Sequence, residues 1–308
     1  MNTITHPVAY FVYKRPGSTL QFLELIKDSG VKSIYIYGDG SKSESEKELV
    51  DRVKEIVLTF KKDNPGMDII DSFLVKNIGL KNNIIRGIND TLAKHDALIV
   101  LEDDCLPTPD FFRFTSELLE RYKDSSQIMS VNGTSVGMPS SYSYDFSRYA
   151  HCWGWATWKR AWKLYDQNVH GITDKNWGDI SSRIWDSLMM RYYWKIMLQM
   201  TKANWIDTWD YQWSFAHFLN NGLSIYPTAN LISNIGFDSA ATNTKTRSPV
   251  ALLPTQAIIW PLSHPPQIIE NIQLSKIIEK KFYKNPIAIL GMIRQYIYWK
   301  IGKYESRT

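Results

Sequence analysis

Cysteine is scarce in this chain of 308 residues, where Cys105 and Cys152 are the only two. Two thiols make neither the disulfide framework of a small secreted domain nor a cysteine-based metal cluster. Long apolar runs are missing as well: no stretch of eighteen apolar residues occurs, so nothing is built to span a bilayer. The first apolar strand is entered at Val8, which leaves no room for a signal peptide and makes a reducing, cytoplasmic location the expectation. Net positive charge is absent from most of the length. The formal net charge is +5, yet residues 265–308 hold eight Lys/Arg against three Asp/Glu and so carry all of it. A nucleic-acid binder would spread basic residues over its body, and here the body is neutral. A glycine-rich phosphate loop is also missing after the first strand, where Lys14-Arg15-Pro16-Gly17 stands instead.

What is abundant is aromatic. Twelve tryptophans and seventeen tyrosines are present, concentrated after residue 140. Rings suit sugars, whose C–H faces stack on them, but they also fill cores. At 308 residues the chain can bury one large core or two modest ones.

One stretch organises the rest. Ala97 to Leu101 is a short apolar run of the kind that forms a buried central strand. It ends in Glu102-Asp103-Asp104, with Pro107 and Pro109 following to prevent simple continuation of the strand. Three adjacent acids repel, so their place at the mouth of a buried strand calls for a positive partner. Hard divalent cations take oxygen ligands, and Mg²⁺ or Mn²⁺ sites combine one or two carboxylates with substrate phosphates. In open α/β sheets, such a ligand binds at the C-terminal ends of the strands.

Strand and helix alternate through this half. Strands are expected at 8–13, 33–37, 69–75 and 97–101, with helices from Pro16 to about Ser29 and at 44–62 and 80–94. That pattern predicts a parallel, doubly wound sheet of βα units. Arg15, Asp39, Lys81 and Arg86 each follow one of the first three strands and are candidate nucleotide contacts. On residues alone, Gly38 and Gly40 serve equally as turn formers, and Lys81 and Arg86 as decoration of a helix. Further on, a helix is expected over 110–123, a strand over 128–133, a loop over 137–144, a helix over 183–201 and a strand over 223–226. Residues 204–213 begin another helix, with Asp207 or Thr208 as its N-cap and Asp210 in its first turn. A carboxylate fixed there is either a cap or a general base.

The segment Val100-Leu101-Glu102-Asp103-Asp104-Cys105-Leu106-Pro107-Thr108-Pro109-Asp110-Phe111-Phe112 resembles the acidic motif of metal-dependent glycosyltransferases of the GT-A fold. It is most similar to the N-acetylglucosaminyltransferase I type, and the resemblance extends over roughly Val8 to Thr244. It implies an α/β, Rossmann-like, mostly parallel mixed sheet flanked by helices. A catalytic domain would span 1–250, with a nucleotide half to 135, an acceptor half to 250 and a basic extension over 251–308. Asp104 would ligate Mn²⁺ or Mg²⁺, Asp103 would hold ribose or metal-bound water, and Glu102 a donor-sugar hydroxyl. Arg15 and Asp39 would meet the nucleotide of a UDP-sugar. Residues 149–162, with Gly154 between Trp153 and Trp155, resemble the donor-sugar segment of that family, and they suit a tryptophan-filled core equally. Trp209-Asp210-Tyr211-Gln212-Trp213 is the nearest match to the segment holding the family's general base, which favours Asp210 over Asp207. The loop 236–247 departs from the family by placing Asn243 where a histidine stands; asparagine can still hydrogen-bond a donor phosphate but is a poor ligand for a transition metal.

The expected reaction is inverting transfer of a sugar from a UDP-sugar to a hydroxyl of a bacterial-type surface glycan such as lipopolysaccharide or capsule. A nucleotidyltransferase acting on sugar phosphates and a non-catalytic sugar-binding relative are the alternatives. No nucleic-acid partner is expected. Residues 268–303 mix basic and aromatic side chains, which fits either peripheral contact with an anionic membrane or a helical appendage packed on the body.

Overall fold

The computed structural model describes residues 3–236, 253–284 and 286–305. The first third follows the expected alternation: β1 (Val8–Val12), α1 (Pro16–Lys27), β2 (Ser33–Gly38), α2 (Glu44–Asp63), β3 (Asp68–Phe73), α3 (Leu80–Lys94) and β4 (Ala97–Glu102). Apolar strands without alternation are covered on both faces, and β1, for one, is buried at every position. Next come β5 (Cys105–Pro107), α4 (Pro109–Arg121), β6 (Ile128–Asn132), β7 (Tyr144–Ser147), β8 (Trp155–Trp158), α5 (Lys159–Trp162), α6 (Trp177–Ile184), α7 (Leu188–Lys202) and α8 (Asp210–Leu219). The described chain closes with β9 (Leu223–Pro227), β10 (Ile232–Asn234), α9 (Ile272–Ile278), a π-helical turn (Glu279–Tyr283) and α10 (Pro286–Glu305).

Eight strands form one sheet in the order β3-β2-β1-β4-β8-β6-β9-β7, and β5 pairs with β10 in a separate ribbon. The strands β3, β2, β1 and β4 are mutually parallel; β8 enters antiparallel between β4 and β6. The result is the mixed, mostly parallel α/β sheet that the sequence predicts. From β1 the chain winds outward to β2 and β3, then returns to place β4 on the other side of β1. That reversal is a topological switch point, where open α/β sheets form a crevice.

Three departures from expectation have physical causes. Strand β8 carries Trp155-Ala156-Thr157-Trp158, whose alternation sends Ala156 and Trp158 to one face of the sheet and Trp155 to the other. Tyr144, expected in a loop, begins β7 because its hydroxyl is bound by Tyr122 at 2.6 Å and His264 at 2.9 Å. The helix expected over 183–201 is two. Trp185 leaves helical geometry to stack on Trp194, ring centroids 5.8 Å apart, and its Nε1 donates to Tyr149 Oη at 2.7 Å.

Apolar side chains collect on both faces of the sheet. One face is packed by α1, α2 and α4, the other by α3, α5 and α8; a third cluster lies among α6, α7, α8 and α9. Ile258 and Leu262 sit in the first of these cores, while Leu274 and Ile278 sit in the third. The carboxylate of Asp110 ties that return down by accepting from Ile258 N at 3.1 Å and Trp260 Nε1 at 3.0 Å.

Candidate active site

The register Phe11↔Glu102 makes β1 and β4 end side by side, so the loops after them emerge together at the switch point. The positive partner that the acidic triplet needs comes from the first of these loops. Arg15 donates from Nη1 to Asp103 Oδ1 at 2.5 Å, and the same nitrogen lies 3.6 Å from Asp104 Oδ2. Asp103 is buried, and its other oxygen accepts from Tyr13 N at 2.9 Å. Burial pushes its carboxyl up, against the pull of Arg15. Asp104 is more open, its side chain 26 % exposed, with the Cys105 thiol donating to Oδ1 at 3.3 Å. The chain leaving β10 crosses directly over it. Ile235 N donates to Asp104 O at 2.8 Å, and a Cβ on Gly236 would stand 2.5 Å from Asp104 Oδ2, so a side chain there would displace the Asp104 carboxylate. Glu102 lies deepest in charge terms. Burial first, then Asp104, Asp103 and Asp210, push its carboxyl well above the usual carboxylate range.

Asp210 thus belongs to the same electrostatic neighbourhood as the triplet, although it comes from the other half of the chain. It is the first residue of α8, as expected, but the N-cap is Trp209 rather than Asp207 or Thr208. Thr208 instead turns its hydroxyl onto Asp210 Oδ1. Burial raises the Asp210 carboxyl; the Thr208 hydroxyl and the helix N–H groups oppose that rise. Asp207 falls elsewhere, 3.7 Å from the Cβ position of Gly79 and beside Lys81 at the start of α3.

Several groups that sequence reasoning passed over share this region. Cys152 feels Asp210, Glu102 and Asp104, and burial together with those acids raises its thiol, keeping it neutral. Tyr165, Tyr193, Tyr211 and Tyr283 each feel the charge of Asp210, and Tyr193 is pushed up to about 12, chiefly by burial. Tyr283 comes from the π-helical turn and packs against Tyr149, Tyr193 and Trp194. Its place beside Asp210 had no signal in the sequence, since only folding brings the turn there.

Other expected contacts are placed differently. Trp155, expected against the donor sugar, is fully buried and stacks on Trp209 at 5.2 Å, packed also on Trp162 and Trp213. It is core, and it anchors the residue before Asp210. The left-handed Gly154, φ 62°, was expected to admit a ligand. The space a Cβ would need is filled by Ile232, 2.4 Å away, so the close approach is to protein. Lys81 is buried, with Nζ 3.4 Å from Asn204 Oδ1. Arg86 is held by Ser72 Oγ at 2.8 Å and Asn83 Oδ1 at 2.9 Å, over the ring of Tyr37. Asp39 accepts from the N–H groups of Gly40, Ile78 and Gly79 at 2.8–2.9 Å, clamping the loop after β3 to the end of β2. Asn243, Lys245 and Arg247 lie outside the described residues.

Among the described residues, no group of three or more His, Cys, Asp or Glu side chains is arranged to hold a metal ion. Asp104 nevertheless fits a hard cation as a single, partly open carboxylate. Mg²⁺ and Mn²⁺ take such a ligand when substrate phosphates supply the remaining oxygens.

No family model matches the chain, and no curated protein matches it in sequence. Solved structures do. The mannosyltransferase PcManGT from Pyrobaculum calidifontis, in complex with GDP-Man and Mn²⁺, is similar with a TM-score of 0.41 and 11% identity, covering 71% of each chain. A UDP-glucose pyrophosphorylase complexed with UDP-glucose matches at TM-score 0.32 and 10% identity, over 52% of this chain and 79% of its own. The glycosyltransferase GlyE from Streptococcus pneumoniae TIGR4 matches at 0.33 and 13%, over 71% of this chain and 44% of its own. Likenesses of this size assign no residue and no activity. What the chain itself defines is a doubly wound α/β protein with a carboxylate-rich crevice at its switch point.

Proposed function

We propose that this protein is an inverting glycosyltransferase that moves a hexosyl or N-acetylhexosaminyl group from a UDP-sugar to a hydroxyl of a surface glycan. The observation that carries the reading is the meeting of two acidic elements from opposite halves of the sheet. Glu102-Asp103-Asp104 lies at the end of β4, and Asp210, at the start of α8, feels the same field. In this reading, Asp210 takes the proton of the acceptor hydroxyl, whose oxygen forms the new bond to C1 of the donor. The bond from C1 to the diphosphate breaks on the opposite side, and its electron pair leaves with UDP. Asp104, together with the donor diphosphate, would hold Mn²⁺ or Mg²⁺, which supplies neutralisation of the leaving group. Arg15 opposes the rise that burial imposes on Asp103 and holds the carboxylate in place. Glu102 is assigned to a donor-sugar hydroxyl, where a raised carboxyl can donate as well as accept. Peripheral contact with an anionic membrane on its cytoplasmic face is part of the same reading, carried by the basic C-terminal helix.

The test is UDP release from a panel of UDP-sugars by purified protein, with and without Mn²⁺, beside Asp104→Ala. Metal-dependent release that disappears in the variant is the expected result. Tight UDP binding without metal, unchanged in Asp104→Ala, would refute the role of the triplet. Release of pyrophosphate from a nucleoside triphosphate and a sugar phosphate would favour the nucleotidyltransferase.

A further inference from the structure

Helix α10 is attached to the body by one edge. Trp299 is 5 % exposed and Met292 packs into the helical core, while a Cβ placed on Gly302 would lie 3.8 Å from the Trp205 ring. These contacts fix the rotation of the helix. The opposite edge should then be polar, as on an ordinary surface helix. It is not. Leu290, Ile293, Ile297 and Ile301 fall within an arc of about 80° at 3.6 residues per turn. They are 67, 42, 50 and 50 % exposed. Arg294 flanks this stripe on one side and Lys300 on the other, each over an aromatic ring of its own helix. Glu270 and Glu279, earlier in the same segment, are engaged elsewhere, with Glu270 on Arg148 and Glu279 on Lys284. Among the described residues no carboxylate pairs with Arg294 or Lys300, in the segment that carries the whole net charge of the chain.

We propose that α10 is a membrane-docking helix that lies in the surface of an anionic bilayer. The stripe Leu290, Ile293, Ile297 and Ile301 enters the boundary between headgroups and acyl chains, and Arg294 and Lys300 meet lipid phosphates. Charge complementarity selects this occupant over an apolar protein surface, for which two flanking cations would be a desolvation cost. The helix lies on the membrane, since among the described residues none is long and apolar enough to cross one. This deepens the peripheral placement proposed above and rests on it, while being independent of the sugar chemistry.

The experiment is co-sedimentation of the full chain with vesicles of phosphatidylcholine alone and of equimolar phosphatidylglycerol and phosphatidylcholine. Two variants accompany it, Leu290→Ser/Ile297→Ser and Arg294→Gln/Lys300→Gln, with thermal melts to confirm that these exposed changes leave the fold intact. Binding to the anionic vesicles alone is expected. Removing the two cations should weaken it about 30-fold, and the stripe variant by more than about 100-fold. Unchanged binding by the stripe variant overturns the docking face while leaving membrane contact standing. Absence of binding to either vesicle overturns both, as does self-association that the stripe variant abolishes. Equal binding to the two vesicles overturns the role of the cations. UDP release is read separately on the same samples, and its absence beside intact vesicle binding refutes the transferase and not the docking helix.

Discussion

The two halves of the sheet keep their polar groups by opposite means. At the mouth of β1 and β4, charge is answered by charge: Arg15 bridges Asp103 and Asp104, and the backbone N–H of Tyr13 donates to Asp103. Around β8 and α8, polar groups sit in aromatic surroundings that favour their neutral forms. Burial lowers His151 to about 3 and His217 to about 4, and it raises Asp210. Arg15 opposes the rise that burial imposes on Asp103, while Glu102 is raised well above the usual carboxylate range. Aromatic burial instead moves a carboxyl towards the pH at which it exchanges protons usefully.

Trp155→Ala breaks the aromatic half and carries the largest effect. It removes a fully buried indole from the stack on Trp209, so unfolding free energy should fall by about 3–5 kcal/mol, measured by urea denaturation. A stable variant with only a raised KM for donor would instead make Trp155 a sugar contact. Arg15→Gln breaks the charged half. It leaves Asp103 buried without its partner, and a loss of about 3 kcal/mol is expected, at the low end for buried pairs because Arg15 is partly exposed. Restoration of stability by adding Asp103→Asn would confirm the cause; a loss no larger than that of a surface pair would sink the distinction.

The neutral histidines sharpen the comparison through pH. His217 titrates near about 6.5 in the unfolded chain and at about 4 when folded. The unfolded state therefore takes up its proton first as pH falls, and stability is lost through that window. Between about pH 7.5 and about pH 5 the loss from this residue should be about 2 kcal/mol. In His217→Gln the stability difference between the two pH values should shrink accordingly; an unchanged difference would mean that His217 is already charged in the fold. The smallest effect belongs to Thr208→Val. Without the hydroxyl that favours ionised Asp210, the carboxyl rises further, so the acid limb of the UDP-release profile should move to higher pH. A limb that stays in place would remove Asp210 from the role of base.

Much of the parallel half was legible because its determinants are local. Apolar runs such as Val8-Ala9-Tyr10-Phe11-Val12, broken by loops and followed by amphipathic helices, specify βα units within short windows. The triplet was legible for the same reason, since three carboxylates at the end of an apolar run stand out in sequence. The aromatic half was harder to read. Trp155-Ala156-Thr157-Trp158 has too few residues to distinguish a strand from the start of a helix, and pairing with β4 and β6 decided the matter. Lys81 and Arg86 have the spacing of exposed helix residues, and their partners Asn204 and Ser72 come from other elements that helix spacing does not reveal.

By itself, then, the sequence determined the winding of β1 to β4, the acidic mouth at its switch point and the placing of all net charge in the last segment. Each of these depends on residue order over a few turns of chain. Only the tertiary structure decided that Arg15 answers the triplet, that Asp210 and Cys152 converge on it, and that α10 turns an apolar stripe outward. Those outcomes depend on strand register and helix rotation, which are settled by burying surfaces far apart in the sequence.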